Sequence, residues 1–538
     1  MQVHFATLWE SMADAIGDCD AVICGDSRLT WSEYDDRAAR LASALRDTGL
    51  KPDSKVGLYL YNGNEYLEAQ FAAFKQRAVP ININYRYLDD EPLYLLDNSD
   101  AEVLVFHTSL GERVAHVMER AQKVKLWIEV DDGGDSIPGA VSYETLIKAN
   151  EPAARIQRSE TDAYMIYTGG TTGMPKGAVY EIGNMLQFFI RIGGQFSGID
   201  GLPEPHQLAG IAKALRQSGN AHVSIPACPL MHGAGIWAGV VVPQCAGATI
   251  VTLEGRSFNP NELWQTVERE MASQVVIVGD AMAKPMIRAL EKARDEDRQY
   301  DLSCLKLMVS SGVMWTSEVK KQLLEWHDFT LIDSLGSTEG GIGTQITTRG
   351  NVGETARFPM NPTTKVFTED GREVKPGSGE TGMIATGGAI PVCYYKDEAK
   401  SKNTFKTIDG VRYAFAGDWA TIEADGTLTL LSRGSNCINT AGEKVYPEEV
   451  EEAVKQHPDV IDCLVVGVPD EKFGERVTGV ASLREGSTAD ASELREFTRT
   501  KLAAFKVPKQ LVVVDRVHRA PNGKADYPWA RKVIEEST

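Results

Sequence analysis

YTGGTTGMPKGAVY, at residues 167–180, carries more information about this protein than any other stretch of its sequence. Three glycines and three threonines precede Lys176 and follow an apolar segment that ends at Tyr167. Glycine lets backbone N–H groups approach an anion closely, and hydroxyl and ammonium groups add charge-assisted donors. The stretch therefore predicts a polyphosphate-binding loop, whose residues are Thr168, Gly169, Gly170, Thr171, Thr172, Gly173 and Lys176.

Two other interpretations of this predicted phosphate loop are less favoured. A Walker A loop requires the pattern GxxxxGK[ST], whereas here Pro175 precedes Lys176 and Gly177 follows it. An ordinary turn rich in glycine and threonine is the second alternative. The agreement of the whole stretch with one known pattern, described below, weighs against such a turn.

Outward from this loop, short apolar runs alternate with amphipathic segments. Continuous β-branched runs separated by helices are typical of parallel strands buried on both faces, so the sequence predicts an α/β architecture. The runs are VGLYLY (56–61), VLVF (103–106), LWIEV (126–130), VVIVG (275–279) and LKLMV (305–309), with helices expected at Arg37 to Arg46 and Glu65 to Phe74. The segment from Ser197 to Asn220, rich in glycine, proline and charge, predicts a surface insertion.

The C-terminal part of the chain has a different pattern. After LTLLS (428–432), Pro447 followed by acidic residues predicts a helix start, because acids are stabilised near the positive end of a helix dipole. A strand at IDCLVVGV (461–468) and a helix from Ser492 to Leu502 complete a small α+β unit. We therefore expect a large N-terminal domain with several subdomains, residues 1–432, and a small C-terminal domain, residues 433–538.

Composition excludes several classes of protein. The 538 residues are 43% hydrophobic and carry a net charge of −19, which disfavours nucleic acids and anionic lipids as partners but not a small anionic ligand in a local pocket. The eight cysteines form no CxxC pair and the nine histidines no HExxH motif, so we expect reduced, mostly buried thiols. Without a signal peptide or an apolar run long enough to span a membrane, the chain is expected to be cytoplasmic. Nothing in the sequence indicates an oligomeric state.

The phosphate loop closely resembles YTSGTTGxPKG, the loop of the adenylate-forming superfamily, which includes acyl-CoA synthetases, luciferases and the adenylation domains of peptide synthetases. Gly169 stands where that family usually has serine. The resemblance continues in the same order over nearly the whole chain. It implies a large adenylation domain followed by a small C-terminal domain that rotates between two reactions.

SLGSTEGG (334–341) resembles the YGxTE motif of this family. The resemblance implies that Thr338 contacts the α-phosphate and that Glu339 binds Mg²⁺, a hard cation that oxygen ligands suit. Leu335 replaces the tyrosine that usually packs on adenine. SSGV (310–313) resembles the loop that lines the adenine and acyl pockets. The implied nucleotide-binding residues of the two motifs are Ser311, Gly312, Ser334, Leu335, Gly336, Ser337 and Thr338, with Val313 in the acyl pocket.

AGDWATIEADGTLTLLSR (416–433) resembles the ribose-binding segment. Asp418 would accept hydrogen bonds from both ribose hydroxyls, and Arg433 would donate on the ribose side. The hinge position of the family corresponds to Ser435, where Asp or Lys is usual. The loop within INTAGEKVYPEE (438–449) would face the thioester-forming site after rotation, through Ala441, Gly442 and Glu443.

Two further motifs complete the resemblance. RAPNGKADY (519–527) matches PxxGK, which makes Lys524 the cation that contacts the attacking carboxylate and the α-phosphate during adenylation. PLMHGAGIW (229–237) resembles the segment that places a histidine near the acyl carboxylate. His232 and Trp237 are therefore assigned to the acyl pocket, although an ordinary buried histidine and a plain core tryptophan remain open alternatives.

The implied activity is that of an acyl-CoA synthetase. ATP, Mg²⁺ and coenzyme A would be required, Lys524, Thr338 and Glu339 would be the catalytic residues, and acyl-AMP the intermediate. GGTTGMPKG and RGSxxINTxGEKVxPEEVEEA resemble a bacterial subgroup that activates fatty acids and steroid side-chain acids. The alternatives are an adenylating enzyme that loads another acceptor and an inactive nucleotide-binding homologue.

Overall fold

The computed structural model describes residues 3–88, 90–168, 174–196, 203–433, 438–440, 443–470, 474–502, 504–519 and 525–537. The helices are α1 Phe5–Ile16, α2 Trp31–Asp47, α3 Asn64–Lys75, α4 Glu91–Ser99, α5 Gly111–Met118, α6 Tyr143–Ala149, α7 Ile182–Phe196, α8 Leu208–Gln217, α9 Val242–Gln244, α10 Pro260–Arg269, α11 Gly279–Asp295, α12 Ser317–Trp326, α13 Glu398–Thr404, α14 Pro447–Lys455, α15 Ala491–Arg499 and α16 Tyr527–Glu536. Two short 3₁₀ turns, Thr108–Leu110 and Pro205–Gln207, and a π-helix, Ala234–Val241, accompany them.

The strands of the N-terminal half are β1 Asp20–Cys24, β2 Ser27–Thr30, β3 Lys55–Tyr59, β4 Val79–Asn82, β5 Ala101–His107, β6 Leu126–Val130, β7 Val141–Ser142, β8 Ala163–Thr168, β9 Lys176–Glu181, β10 Val223–Pro226, β11 Thr249–Thr252 and β12 Gln274–Ile277. Those of the C-terminal half are β13 Leu307–Ser311, β14 Thr330–Ser337, β15 Gly340–Thr347, β16 Arg357–Pro359, β17 Thr364–Phe367, β18 Thr381–Thr386, β19 Cys393–Tyr394, β20 Phe405–Ile408, β21 Val411–Ala414, β22 Asp418–Ile422, β23 Thr427–Arg433, β24 Ile438–Thr440, β25 Glu443–Val445, β26 Val460–Asp470, β27 Gly474–Leu483 and β28 Gln510–Val514.

Two largely parallel sheets form the frame of the molecule. The first has eight strands in the order β15-β14-β13-β12-β10-β11-β1-β2 and is antiparallel only at its two edges. The second has five parallel strands in the order β4-β3-β5-β6-β7. All five apolar runs singled out in the sequence form parallel strands of these sheets, β3, β5, β6, β12 and β13. The predicted α/β class is therefore confirmed.

A three-stranded antiparallel sheet, in the order β19-β9-β8, lies between the two frames. Asn82, at the end of β4, both donates to and accepts from the backbone of Tyr167 on β8, at 2.9 and 2.7 Å. On its other side this sheet contacts the β14–β15 turn through Tyr394 and Tyr180. The small sheet thus connects the five-stranded sheet to the eight-stranded sheet, and its strands β8 and β9 carry the two ends of the predicted phosphate loop.

The C-terminal part contains two further sheets. Seven antiparallel strands, β16-β23-β22-β18-β21-β20 with β17 beside β18, end at Arg433. The sheet that follows, β25-β24-β27-β26 with β28 beside β27, packs α14, α15 and α16 around its own core. Pro447 begins α14 and Glu448 and Glu449 occupy its first turn, as the sequence predicts.

The segment expected to be a surface insertion is more integrated than its composition suggests. Its described part, residues 203–220, contains α8, and Leu208 and Ala212 on that helix are buried in the core shared with α1. The content of glycine, proline and charge was misleading here, because a short helix with one apolar face can still pack against the core.

The seven described cysteines are free thiols, but only three are buried, so fewer lie in the core than expected. Within the described residues, none of the helices combines the length and apolar character needed to cross a bilayer.

Candidate active site

A cleft of ≈ 4640 Å³ opens between the sheets and brings most of the predicted site residues together. The predicted residues that line it are Thr168, Lys176, His232, Trp237, Ser311, Gly312, Val313, Ser334, Leu335, Gly336, Ser337, Thr338, Glu339 and Asp418. Gly169, Gly170, Thr171, Thr172, Gly173, Ser435, Ala441, Gly442 and Lys524 lie outside the described residues. The described members come from strands and turns up to 250 residues apart in sequence, so the fold assembles the cleft.

The base of the phosphate loop is a β-hairpin. Thr168 at the end of β8 pairs with Lys176 at the start of β9, so both ends of the predicted loop are fixed side by side. Tyr94 donates a hydrogen bond of 3.1 Å to the carbonyl oxygen of Pro175. The Lys176 ammonium lies 3.4 Å from a carboxylate oxygen of Asp397 and is one-third exposed, which leaves it accessible to an anion in the cleft.

The turn between β14 and β15 presents Thr338 and Glu339 to the same cleft. Gly340 follows with φ +151°, and a Cβ at that position would lie 2.6 Å from the Thr386 methyl group, so the turn requires glycine. Ser337 accepts a hydrogen bond from the Glu339 backbone at 3.1 Å. The turn therefore has a defined shape before any ligand binds.

Two tyrosines hold this turn from the three-stranded sheet. The Tyr394 hydroxyl donates to Glu339 Oε1 at 2.6 Å, and the Tyr180 hydroxyl donates to the carbonyl oxygen of Thr338. Burial raises the pKa of Tyr180 well above its usual range, so its hydroxyl stays protonated and remains a donor at neutral pH. Neither tyrosine stands out in the sequence as a site residue, because an isolated tyrosine in a strand is normally a core residue.

Glu339 satisfies the requirements for a magnesium ligand. Its second carboxylate oxygen makes no hydrogen bond to the described residues, and the side chain borders the cleft. Among the described residues, no group of three or more His, Cys, Asp or Glu side chains could hold a metal ion by itself. Mg²⁺ is commonly bound by one or two carboxylates together with water and phosphate oxygens, so a single carboxylate in the cleft that Lys176 also lines fits this ion.

One wall of the cleft is largely apolar. Trp237 lies on the π-helix, donates to the Tyr164 hydroxyl at 3.1 Å, and has its ring within 6.0 Å of those of Tyr180 and Phe189. Met185, Phe188 and Ile192 on α7 line the cleft nearby. His232 lies just before the π-helix and is half-buried rather than part of the core. An apolar ligand body next to a polar end group suits this wall.

Asp418 and Arg433 are adjacent in the seven-stranded sheet. They are directly paired across β22 and β23, and Gly417 before Asp418 has φ +98°. Asp418 lines the cleft, whereas the Arg433 side chain lies outside the described part of the structure. The side chain of Glu443, the first residue of β25, also lies outside the described part of the structure.

Comparison with known proteins identifies the family. The sequence profile of the AMP-binding enzymes matches residues 9–395, and that of the AMP-binding enzyme C-terminal domain matches residues 449–524. The chain belongs to the AMP-binding enzyme family. The resemblance inferred from the phosphate loop is thus confirmed, and the protein is an enzyme.

Relatives of this AMP-binding enzyme match it along its whole length. A medium/long-chain-fatty-acid–CoA/3-oxocholest-4-en-26-oate–CoA ligase of Mycolicibacterium smegmatis is 41% identical over 100% of this chain and 97% of its own. A 3-oxocholest-4-en-26-oate–CoA ligase of Rhodococcus rhodochrous is 40% identical over 99% of this chain and 96% of its own. Among solved structures, the anthranilate CoA ligase AuaEII with anthranoyl-AMP has a TM-score of 0.83 at 20% identity, covering 99% of this chain and 98% of its own. This last likeness concerns the fold.

Proposed function

We propose that this AMP-binding enzyme joins a hydrophobic carboxylic acid to coenzyme A. In the first step the carboxylate attacks the α-phosphorus of ATP and pyrophosphate leaves, giving acyl-AMP. In the second step the thiol of coenzyme A attacks the acyl carbon, loses its proton, and displaces AMP. The observation that carries this proposal is the Thr338–Glu339 turn, which two tyrosines hold beside Lys176 in a cleft with an apolar wall.

The residues of the cleft supply positioning and charge rather than a covalent nucleophile. Lys176 and the predicted phosphate loop bind the phosphates, Thr338 contacts the α-phosphate, and Asp418 accepts from the ribose. Mg²⁺, when bound by Glu339, neutralises phosphate charge. Lys524 screens the repulsion between the attacking carboxylate and the phosphate. Leu335 offers the adenine an aliphatic surface in place of the usual aromatic ring.

The apolar wall supports a hydrophobic acid as the substrate. Trp237 and Phe188 line a region with room for a bulky body, and the full-length relatives are named for fatty acids and a steroid acid. His232 and Val313 line the same cleft, and we assign both to the acyl pocket.

Rotation of the C-terminal domain would separate the two steps. We propose that residues 1–432 form the adenylating body and residues 433–538 the mobile one, with Ser435 as the hinge. In support, within the described residues no strand of the sheet that ends at Arg433 pairs with a strand of the sheet that starts at β24. Lys524 would serve adenylation, and Ala441, Gly442 and Glu443 would serve thioester formation.

A pyrophosphate-release assay over a panel of acids tests this function. We expect kcat/KM to be highest for a bulky apolar monocarboxylic acid, a long fatty acid or a steroid side-chain acid, and lower for acetate and free amino acids. Coenzyme A consumption should follow pyrophosphate release in equal amounts. A preference for acetate or an amino acid would contradict the proposed substrate class. Pyrophosphate release without thioester would indicate a different acceptor, and no release with any acid would indicate an inactive homologue.

A further inference from the structure

Tyr394 contacts the proposed magnesium ligand Glu339 directly, and the proposed reaction gives it no role of its own. Resting on that function, we infer that Tyr394 is a positioning residue that fixes the Glu339 carboxylate in the orientation needed to bind the divalent cation of MgATP. Its hydroxyl is 2.6 Å from Glu339 Oε1. A single contact of this kind also occurs in ordinary protein cores, whereas here the neighbouring residues of the sheet place the tyrosine next to Lys176 and Tyr180.

The register of the three-stranded sheet supports it. Lys176, Ala178 and Tyr180 alternate along β9 and therefore share one face of the sheet. Tyr394 on β19 is directly opposite Ala178, which places it on that same face, between the lysine and the second tyrosine. One face of a small sheet thus presents a phosphate-binding cation and both hydroxyls that contact the Thr338–Glu339 turn.

Burial strengthens the hydrogen bond from Tyr394 to Glu339. Tyr394 is 5% exposed and Glu339 8% exposed, so little water competes for the carboxylate oxygen. With Oε1 occupied by the hydroxyl, the carboxylate plane is set and Oε2 is the oxygen left for a cation. The Lys176 ammonium lies 5.9 Å from the centre of the Tyr394 ring, so the same side chain also supports the lysine.

A purely structural role for Tyr394 is the competing explanation. Its ring packs against Phe405 at 5.3 Å, which a phenylalanine would preserve. Tyr394→Phe therefore removes the hydroxyl and retains the packing. If Tyr394 were only a core residue, this change would not alter how strongly magnesium promotes ATP binding.

The experiment measures ATP binding by calorimetry on the full-length enzyme without acid, once with Mg²⁺ and once with EDTA. The Kd in EDTA divided by the Kd with Mg²⁺ reports how strongly the metal promotes ATP binding. We expect Tyr394→Phe to lower this ratio roughly tenfold, the scale of a hydrogen bond to a charged group, with ATP affinity in EDTA changed less than about twofold. Glu339→Gln should lower the ratio at least as much, and adding Tyr394→Phe to it should have no further effect.

A matched control separates positioning from general damage. Tyr413→Phe alters a similarly buried tyrosine that packs on Phe367 away from the cleft. This variant should have the same ratio of Kd values as the wild type. A wild-type ratio for Tyr394→Phe, in an enzyme that still makes acyl-AMP, would overturn the inference and leave the proposed function standing. Failure of the wild-type enzyme to release pyrophosphate would instead overturn the function.

Discussion

His4 is a fully buried histidine that the predicted chemistry does not involve. Its Nδ1 accepts a hydrogen bond of 3.1 Å from the Ala6 backbone at the start of α1, and its Nε2 lies 3.6 Å from Asp162. Burial, and secondarily the Arg158 guanidinium, lower the pKa of His4 to about 3. The folded protein therefore keeps this ring neutral at every pH at which the enzyme would be assayed.

Because the folded protein keeps the His4 ring neutral, we expect the protein to lose stability in mild acid. Between about pH 6.5 and 3 the unfolded chain protonates this histidine and the folded chain does not, so its contribution to stability is complete above pH 6.5 and decreases as the pH falls. His4→Asn keeps an acceptor for the Ala6 N–H. Between pH 6 and 5, we expect the free energy of unfolding in urea to fall by about 1.2 kcal/mol more for the wild type than for this variant. Equal slopes for the two proteins would contradict the assignment.

At the level of single residues, the sequence predicted residues that line the cleft better than the residues that hold them in place. Thr338 and Glu339 are recognisable because a short local pattern places them beside one another. Tyr394 is 55 residues from the carboxylate it contacts, and that contact depends on β19 pairing with β9. A strand pairing across more than 200 residues leaves no local trace in the sequence.

Among the elements, α12, β14 and β15 are connected by a buried charge. The Lys320 ammonium on α12 lies 2.7 Å from Asp333 on β14 and 2.7 Å from the Gln345 side chain on β15. Gln345 in turn donates to the backbone carbonyls of Glu354 and Arg357. Burial raises the pKa of Asp333, and the attraction of Lys320 opposes that rise. This network lies beneath the strand that ends in the Thr338–Glu339 turn.

Removing one member of the network should destabilise these elements. Lys320→Met leaves Asp333 buried without a cation, and we expect the free energy of unfolding to fall by about 3–5 kcal/mol at neutral pH. Adding Asp333→Leu should restore most of this loss, because no buried charge then remains. Lys321→Met, at the exposed neighbouring position, is the control and should change stability by less than about 0.5 kcal/mol. Denaturant unfolding gives the free energy of unfolding of the wild type, the two single variants and the double variant. A Lys320→Met variant as stable as Lys321→Met would contradict this prediction.

The strands illustrate why elements were more predictable than their arrangement. LWIEV matched β6 at both ends because a short β-branched and aromatic run bounded by polar residues permits few other structures. The position of the three-stranded sheet between two larger ones did not follow from any run, since it depends on contacts such as that of Asn82 with Tyr167. Packing between distant elements, and not local propensity, determined that placement.

At the scale of the whole molecule, the two proposed reactions should be separable by mutation. Lys524→Ala should lower acyl-AMP formation by roughly 10²-fold or more, the scale of losing one transition-state donor, while thioester formation from supplied acyl-AMP stays near the wild-type rate. Gly442→Leu should produce the opposite pattern, because bulk on that loop would obstruct the thioester-forming arrangement. Pyrophosphate release reports the first step and loss of free thiol the second. Equal damage to both steps by Lys524→Ala would contradict domain rotation.

The glycines around the π-helix constrain how the acid specificity of such an enzyme could be changed by engineering. A Cβ on Gly235 would overlap the Pro229 carbonyl, and one on Gly239 would lie 2.6 Å from Pro226. A mutant library at these positions would therefore yield mostly misfolded protein and would sample no new pockets. Trp237 and Phe188 line the cleft, so directed evolution toward larger or smaller acids should begin with them.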